Sequence, residues 1–108
     1  MNYDKMLAFH KKNGADVTVA TIKVPMSEAS RFGIVNTGKN GRIEQFEEKP
    51  ANPKSDLASM GIYIFSAEKL YKYLETDEAN PESSNDFGKN VLPEMLKNGE
   101  KMFAYVFS

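Results

Sequence analysis

Apolar residues recur along the chain with two different periods, and each period predicts a different kind of element. Tyr3, Met6, Leu7 and His10 fall at i, i+3, i+4 and i+7, which sets them on one face of a helix. Lys11, Lys12 and Asn13 lead to Gly14, a natural left-handed stop, with the lysines at the negative end of the helix dipole. Val17 to Val24 is rich in β-branched residues and apolar on both parities, the pattern of a strand covered on both faces. Pro25 ends it, and Ser27-Glu28-Ala29-Ser30 can form a single helical turn. Ile34-Val35-Asn36 and Arg42 to Glu48 flank Thr37-Gly38-Lys39-Asn40-Gly41, whose Asn-Gly pair predicts a hairpin. Pro50 and Pro53 make Lys49 to Asp56 a loop. Ala58 to Phe65 reads as another buried strand. Ser66 caps a helix from Ala67 to Leu74 with Leu70, Tyr73 and Leu74 inward. Asp77 to Ser84, which holds Pro81, reads as a surface loop. Ser84 or Asn85 caps a further helix carrying Val91, Leu92, Met95 and Leu96. Pro93 is expected to split it in two, because proline lacks an N–H and crowds the turn before it. Gly99 closes that stretch, and Met102 to Phe107 forms the last strand.

Helices mixed with strands buried on both faces predict an α/β fold: a mixed sheet between helices, with an antiparallel hairpin inserted. The 108 residues allow one modest unit, and 41% hydrophobic with 27% charged residues is an ordinary globular composition. A formal charge of −1 gives no bulk field toward nucleic acid or an anionic membrane. No cysteine and a single histidine exclude disulfides, thiolate nucleophiles and Cys- or His-rich metal clusters. The first residues lack a signal peptide's apolar run, and Met60 to Phe65 is too short to cross a bilayer, so a cytoplasmic setting is expected. The chain starts in a helix whose apolar face needs a sheet and stops inside an apolar strand. A fragment is the expectation, with oligomerisation or strand exchange as one way to cover the open faces.

Chemistry concentrates at the end of the hairpin, in Glu47-Glu48-Lys49-Pro50. A residue before proline is pushed toward extended geometry, which holds Lys49 at the rim of the sheet where open α/β sheets bind ligands. Adjacent strand residues face opposite ways, so Glu48 and Lys49 serve one ligand only if the chain bends between them or the ligand wraps the edge. Two readings fit: a solvated charged hairpin, or a phosphosugar site with lysine on the phosphate and glutamate on sugar hydroxyls. Gly33 marks either a simple turn or a close approach by something else. Ser59, at the start of the next strand, either meets a ligand or bonds its own backbone. Asp86-Phe87-Gly88 echoes a kinase magnesium motif without its context, so Asp86 is read as a first-turn helix residue. His10 and the methionines read as core.

The stretches Phe46 to Pro53 and Leu57 to Phe65 resemble the bacterial glucose-1-phosphate adenylyltransferases, the ADP-glucose pyrophosphorylases of glycogen synthesis. Glu28 to Val35 before them and Asn85 to Pro93 after them fit the same order and spacing. Glu-Lys-Pro is common to many sugar nucleotidyltransferases, whereas Ala-Ser-Met-Gly-Ile-Tyr with Asp-Phe-Gly-Lys is selective for the adenylyl branch. The resemblance implies a Rossmann-like sheet sandwiched by helices, followed by a left-handed β-helix domain. It implies a reaction of glucose 1-phosphate and ATP, with Mg²⁺, to ADP-glucose and pyrophosphate, in a homo-oligomeric parent (a homotetramer). By the same resemblance Gly33 contacts the sugar phosphate, Glu48 the sugar and Lys49 the phosphate. Ser59 belongs to that pocket, and Asp86 lies near it.

The family's glycine-rich nucleotide loop, its upstream metal-binding aspartate and its downstream Trp-Arg-Asp-Val-Gly stretch have no counterpart here, and the chain contains no tryptophan. Residues 1–108 are therefore expected to be the sugar-phosphate half of a catalytic domain. No catalytic group and no metal ligand are expected within it, and no turnover alone. Three other readings fit the same residues: a thymidylyl or uridylyl transferase, a noncatalytic regulatory subunit, or a free-standing α/β binding module.

Overall fold

The computed structural model describes residues 3–78 and 91–107. Helix α1 (Tyr3–Lys12) is followed by β1 (Val17–Lys23), a 3₁₀ segment at Met26–Arg31, and the hairpin β2 (Gly33–Thr37) and β3 (Ile43–Glu48). Strand β4 (Leu57–Phe65), helices α2 (Ala67–Glu78) and α3 (Leu92–Lys97), and β5 (Met102–Phe107) complete the order. The five strands form one mixed sheet in the order β3-β2-β4-β1-β5, with β1 and β5 parallel and the other pairs antiparallel. The α/β expectation with an inserted hairpin is met.

Alternation along β1 explains the two-sided apolar pattern. Val17 and Val19 enter a core with Val35, Leu92, Met95 and Met102 beneath α2 and α3. Thr18 turns to the other face, where His10 of α1 hydrogen-bonds it. Each fully buried side chain such as Leu92 or Met95 contributes about 1.5–3 kcal/mol relative to exposure. Ala29, Ile34 and Ala58 form a smaller cluster on the α1 face, so the 3₁₀ segment covers the hairpin's base.

Several expectations shift. Met6 and His10 are buried, but Tyr3 and Leu7 are 50% and 40% exposed. Phe9 takes their place by meeting Phe103 and Tyr105 edge-on. Strand β4 is less covered than predicted: Ala58 is buried, whereas Met60 and Ile62 to Phe65 are half-buried. Its register against β1 slips between Val19↔Tyr63 and Thr21↔Ser59, and it pairs with β2 at Ile34↔Ala58, so the strand leaves a flat ladder around Gly61. Helix α2 runs on to Glu78, because neither glycine nor proline interrupts Glu75 to Glu78. Pro93 sits in the first turn of α3, where its missing N–H is not needed. A helical piece before α3, the caps at Ser84 or Asn85, the rest of the polar loop to Ser84, and Asp86 lie outside the described residues. Among the described residues no helix is long and apolar enough to cross a membrane.

Candidate sugar-phosphate site

The base of the hairpin is built by cross-strand register. Gly33 of β2 pairs with Glu48 of β3. On its other side the antiparallel Ile34↔Ala58 pair brings Gly33 alongside Ser59 of β4, one step along, and Ser59 in turn pairs with Thr21. Glu48, Gly33 and Ser59 thus stand in one row across three strands. Side chains in one row share a face, and this is the face of Val35, Phe46 and Leu57, beneath α2 and α3.

Gly33 is there because its neighbour fills its space. A methyl group on it would stand 3.0 Å from Phe46 Cζ and 3.1 Å from Glu48 Oε2. Of the two ways to read this glycine, close approach is the one found, and the approaching groups are a ring and a carboxylate. The two glutamates separate cleanly. Glu47, on the opposite face, accepts a 3.0 Å hydrogen bond from Asn36 Nδ2. Glu48 is exposed, and its carboxylate makes no hydrogen bond to a described residue.

Lys49 departs from its expected extended backbone. Its φ is +47°, in the left-handed region that a side chain with a Cβ rarely adopts. The Lys49 N–H donates to the Phe32 carbonyl at 3.1 Å, a bond that holds the turn just after the Gly33–Glu48 pair. The chain therefore bends between Glu48 and Lys49, which frees the lysine from strict alternation and allows both residues to address one ligand. Its ammonium is exposed and makes no ion pair among the described residues. Such a conformation costs about 1–3 kcal/mol and persists only where surrounding structure imposes it.

Ser59 is half-buried, and its Oγ accepts a 3.2 Å hydrogen bond from the Gly61 N–H. That is the self-bonding reading of this serine, and it leaves the hydroxyl hydrogen free to donate outward. The register brings Gly33, Glu48 and Ser59 together with Lys49 beside them, while Asp86 lies outside the described residues. Phe46 is the residue that pattern reading treated only as part of a motif. Its signal was present: it stands two before Glu48 on the same strand face, opposite a glycine.

A hollow of about 480 Å³ lies elsewhere, at the hairpin tip, lined by Gly38, Lys39, Asn40, Arg42, Glu44 and Phe103. Both charge signs meet there, and none of the row residues borders it. Among the described residues no three His, Cys, Asp or Glu side chains gather to hold a metal ion. The magnesium that the resemblance implies is expected to take its protein ligands from outside this chain, and no step below is routed through it.

The family model for nucleotidyl transferases matches residues 1–108. The chain belongs to that family. It is 60% identical over 108 residues to glucose-1-phosphate adenylyltransferase of Acetivibrio thermocellus, covering all of this chain and 25% of that protein. The proteins of the same name from Desulforamulus reducens and Fusobacterium nucleatum are 62% and 61% identical over 107 residues, 27% and 28% of their lengths. The chain thus spans about a quarter of the curated relatives it matches. The mixed sheet with helices on both faces is consistent with the Rossmann-like fold of nucleotidyl transferases, whose members generally use divalent metal ions.

Proposed function

We propose that residues 1–108 form the glucose 1-phosphate half of an adenylyltransferase catalytic domain, working in the cytoplasm in glycogen synthesis. The observation that carries this reading is the row Glu48–Gly33–Ser59 closed by the left-handed turn at Lys49. It gathers an acceptor, a donor and a cation at one sheet rim. The relatives' names, all glucose-1-phosphate adenylyltransferase, favour the adenylyl over the thymidylyl or uridylyl reaction.

In this reading Lys49 holds the phosphate, Glu48 accepts from sugar hydroxyls and Ser59 donates to the ester. Asp86 joins them on the motif alone. A phosphate oxygen of glucose 1-phosphate attacks the α-phosphorus of ATP, and pyrophosphate leaves. Such transfer is accelerated chiefly by positioning and charge neutralisation. The ammonium supplies both by fixing the nucleophile's angle and lowering repulsion between two anionic phosphates. Magnesium and a homotetrameric assembly belong to the whole enzyme in this proposal.

The test is Lys49→Ala in a full-length adenylyltransferase carrying this segment. The KM for glucose 1-phosphate is expected to rise about tenfold or more, with the ATP KM shifting less than about threefold. Equal shifts in the two constants would remove Lys49 from the sugar phosphate.

A further inference from the structure

Two side chains of β3 converge on a backbone position that carries none. Phe46 and Glu48 are two residues apart on one strand, so they project from the same face. Phe46 Cζ lies 3.0 Å, and Glu48 Oε2 3.1 Å, from the same point, the position a Gly33 Cβ would occupy. The two differ in anchorage. Phe46 is half-buried, pairs across the sheet with Val35 and packs on the core beneath α2 and α3. Glu48 is exposed, and no hydrogen bond to a described residue restrains its carboxylate. A glutamate in that state has several rotamers open to it, and a ligand must pay for the loss of all but one. The ring, fixed from below, removes some of those rotamers in advance. Its edge carries the positive end of the aromatic quadrupole, which suits an adjoining carboxylate.

We propose that Phe46 is a positioning residue. Wedged into the niche left by Gly33, its ring backs the Glu48 carboxylate and keeps it over β2, alongside Ser59. This rests on reading Glu48 as the ligand of the sugar. Gly33 then serves the site by yielding space, and Phe46 by occupying it.

The experiment uses a full-length adenylyltransferase carrying this segment, with three variants compared. Phe46→Leu keeps an apolar side chain on the core and removes the ring. It is expected to raise the glucose 1-phosphate KM about fivefold while kcat and the ATP KM stay within about twofold. Phe46→Met also removes the ring while keeping an apolar side chain of similar reach on the core, and is expected to give the same selective rise, so it carries the test if Phe46→Leu does not fold. Glu48→Ala tests the underlying reading. If Glu48→Ala raises the glucose 1-phosphate KM but the niche variants leave it within twofold, the positioning role is overturned and the site stands. Parallel changes in kcat and both KM values from the niche variants would mark Phe46 as merely structural. If Glu48→Ala leaves the glucose 1-phosphate KM unchanged, the site reading falls and this inference with it.

Discussion

Lys49 concentrates the conflict between local preference and the site. A residue before proline favours extended backbone, yet here φ is +47° and the N–H is taken by Phe32. Two variants without the lysine side chain isolate the strain. Lys49→Gly is expected to be more stable than Lys49→Ala by about 1 kcal/mol in urea unfolding, because only glycine occupies that region without penalty. An extended residue would give the opposite order. His10 makes a second residue-scale case. Its Nδ1 lies 2.8 Å from Thr18 Oγ1 in the core, and burial pushes its pKa below the ordinary 6.5, partly offset by the Asp16 charge. The unfolded chain therefore takes up the proton first. This residue costs no stability above 6.5, and stability falls as pH drops below that value toward the lower folded-state pKa. His10→Gln does not titrate, so its unfolding free energy is expected to fall less between neutral and mildly acidic pH. Parallel acid limbs for the two proteins would refute the assignment.

At the scale of elements, period and punctuation in the sequence were sufficient for most of the order. Val17 to Val24 announced a strand with two covered faces, and Asn40-Gly41 announced the hairpin, whose turn places both residues at positive φ. What was not legible was the irregularity inside β4. Gly61 looked like a small residue beginning a strand, but its φ of +73° lies where β4 slips against β1, and an added Cβ would meet no atom within 4 Å. A register slip depends on the partner strand, which no local pattern contains. Gly61→Ala is expected to lose about 1–2 kcal/mol from backbone conformation alone. Denaturant unfolding measures it, and an unchanged midpoint would mean the slip relaxes freely. The candidate site divides along the same line. Glu48, Lys49, Gly33 and Ser59 were legible as a motif, but their common row rests on pairing between three strands, and the bend at Lys49 runs against its own sequence preference.

For the whole molecule, a quarter-length match bears directly on activity. On the proposed reading the row at the hairpin base holds the sugar phosphate, and the nucleotide loop that the resemblance implies has no counterpart in the sequence. The 108-residue polypeptide is accordingly expected to make no ADP-glucose from ATP and glucose 1-phosphate in a coupled pyrophosphate-release assay, and clear turnover would overturn the half-domain proposal. Long-range pairing carries a further consequence. Strand β1 lies between β4 and β5, and Thr21 Oγ1 donates to the Tyr105 carbonyl 84 residues later. The β2–β3 hairpin can zip as soon as it leaves the ribosome, on a microsecond scale, whereas β5 can dock only when nearly all of this segment has been synthesised. Until then a valine- and threonine-rich ribbon stands with one flank unprotected. That interval, rather than the finished fold, is when the nascent polypeptide is most exposed to self-association and most dependent on chaperones.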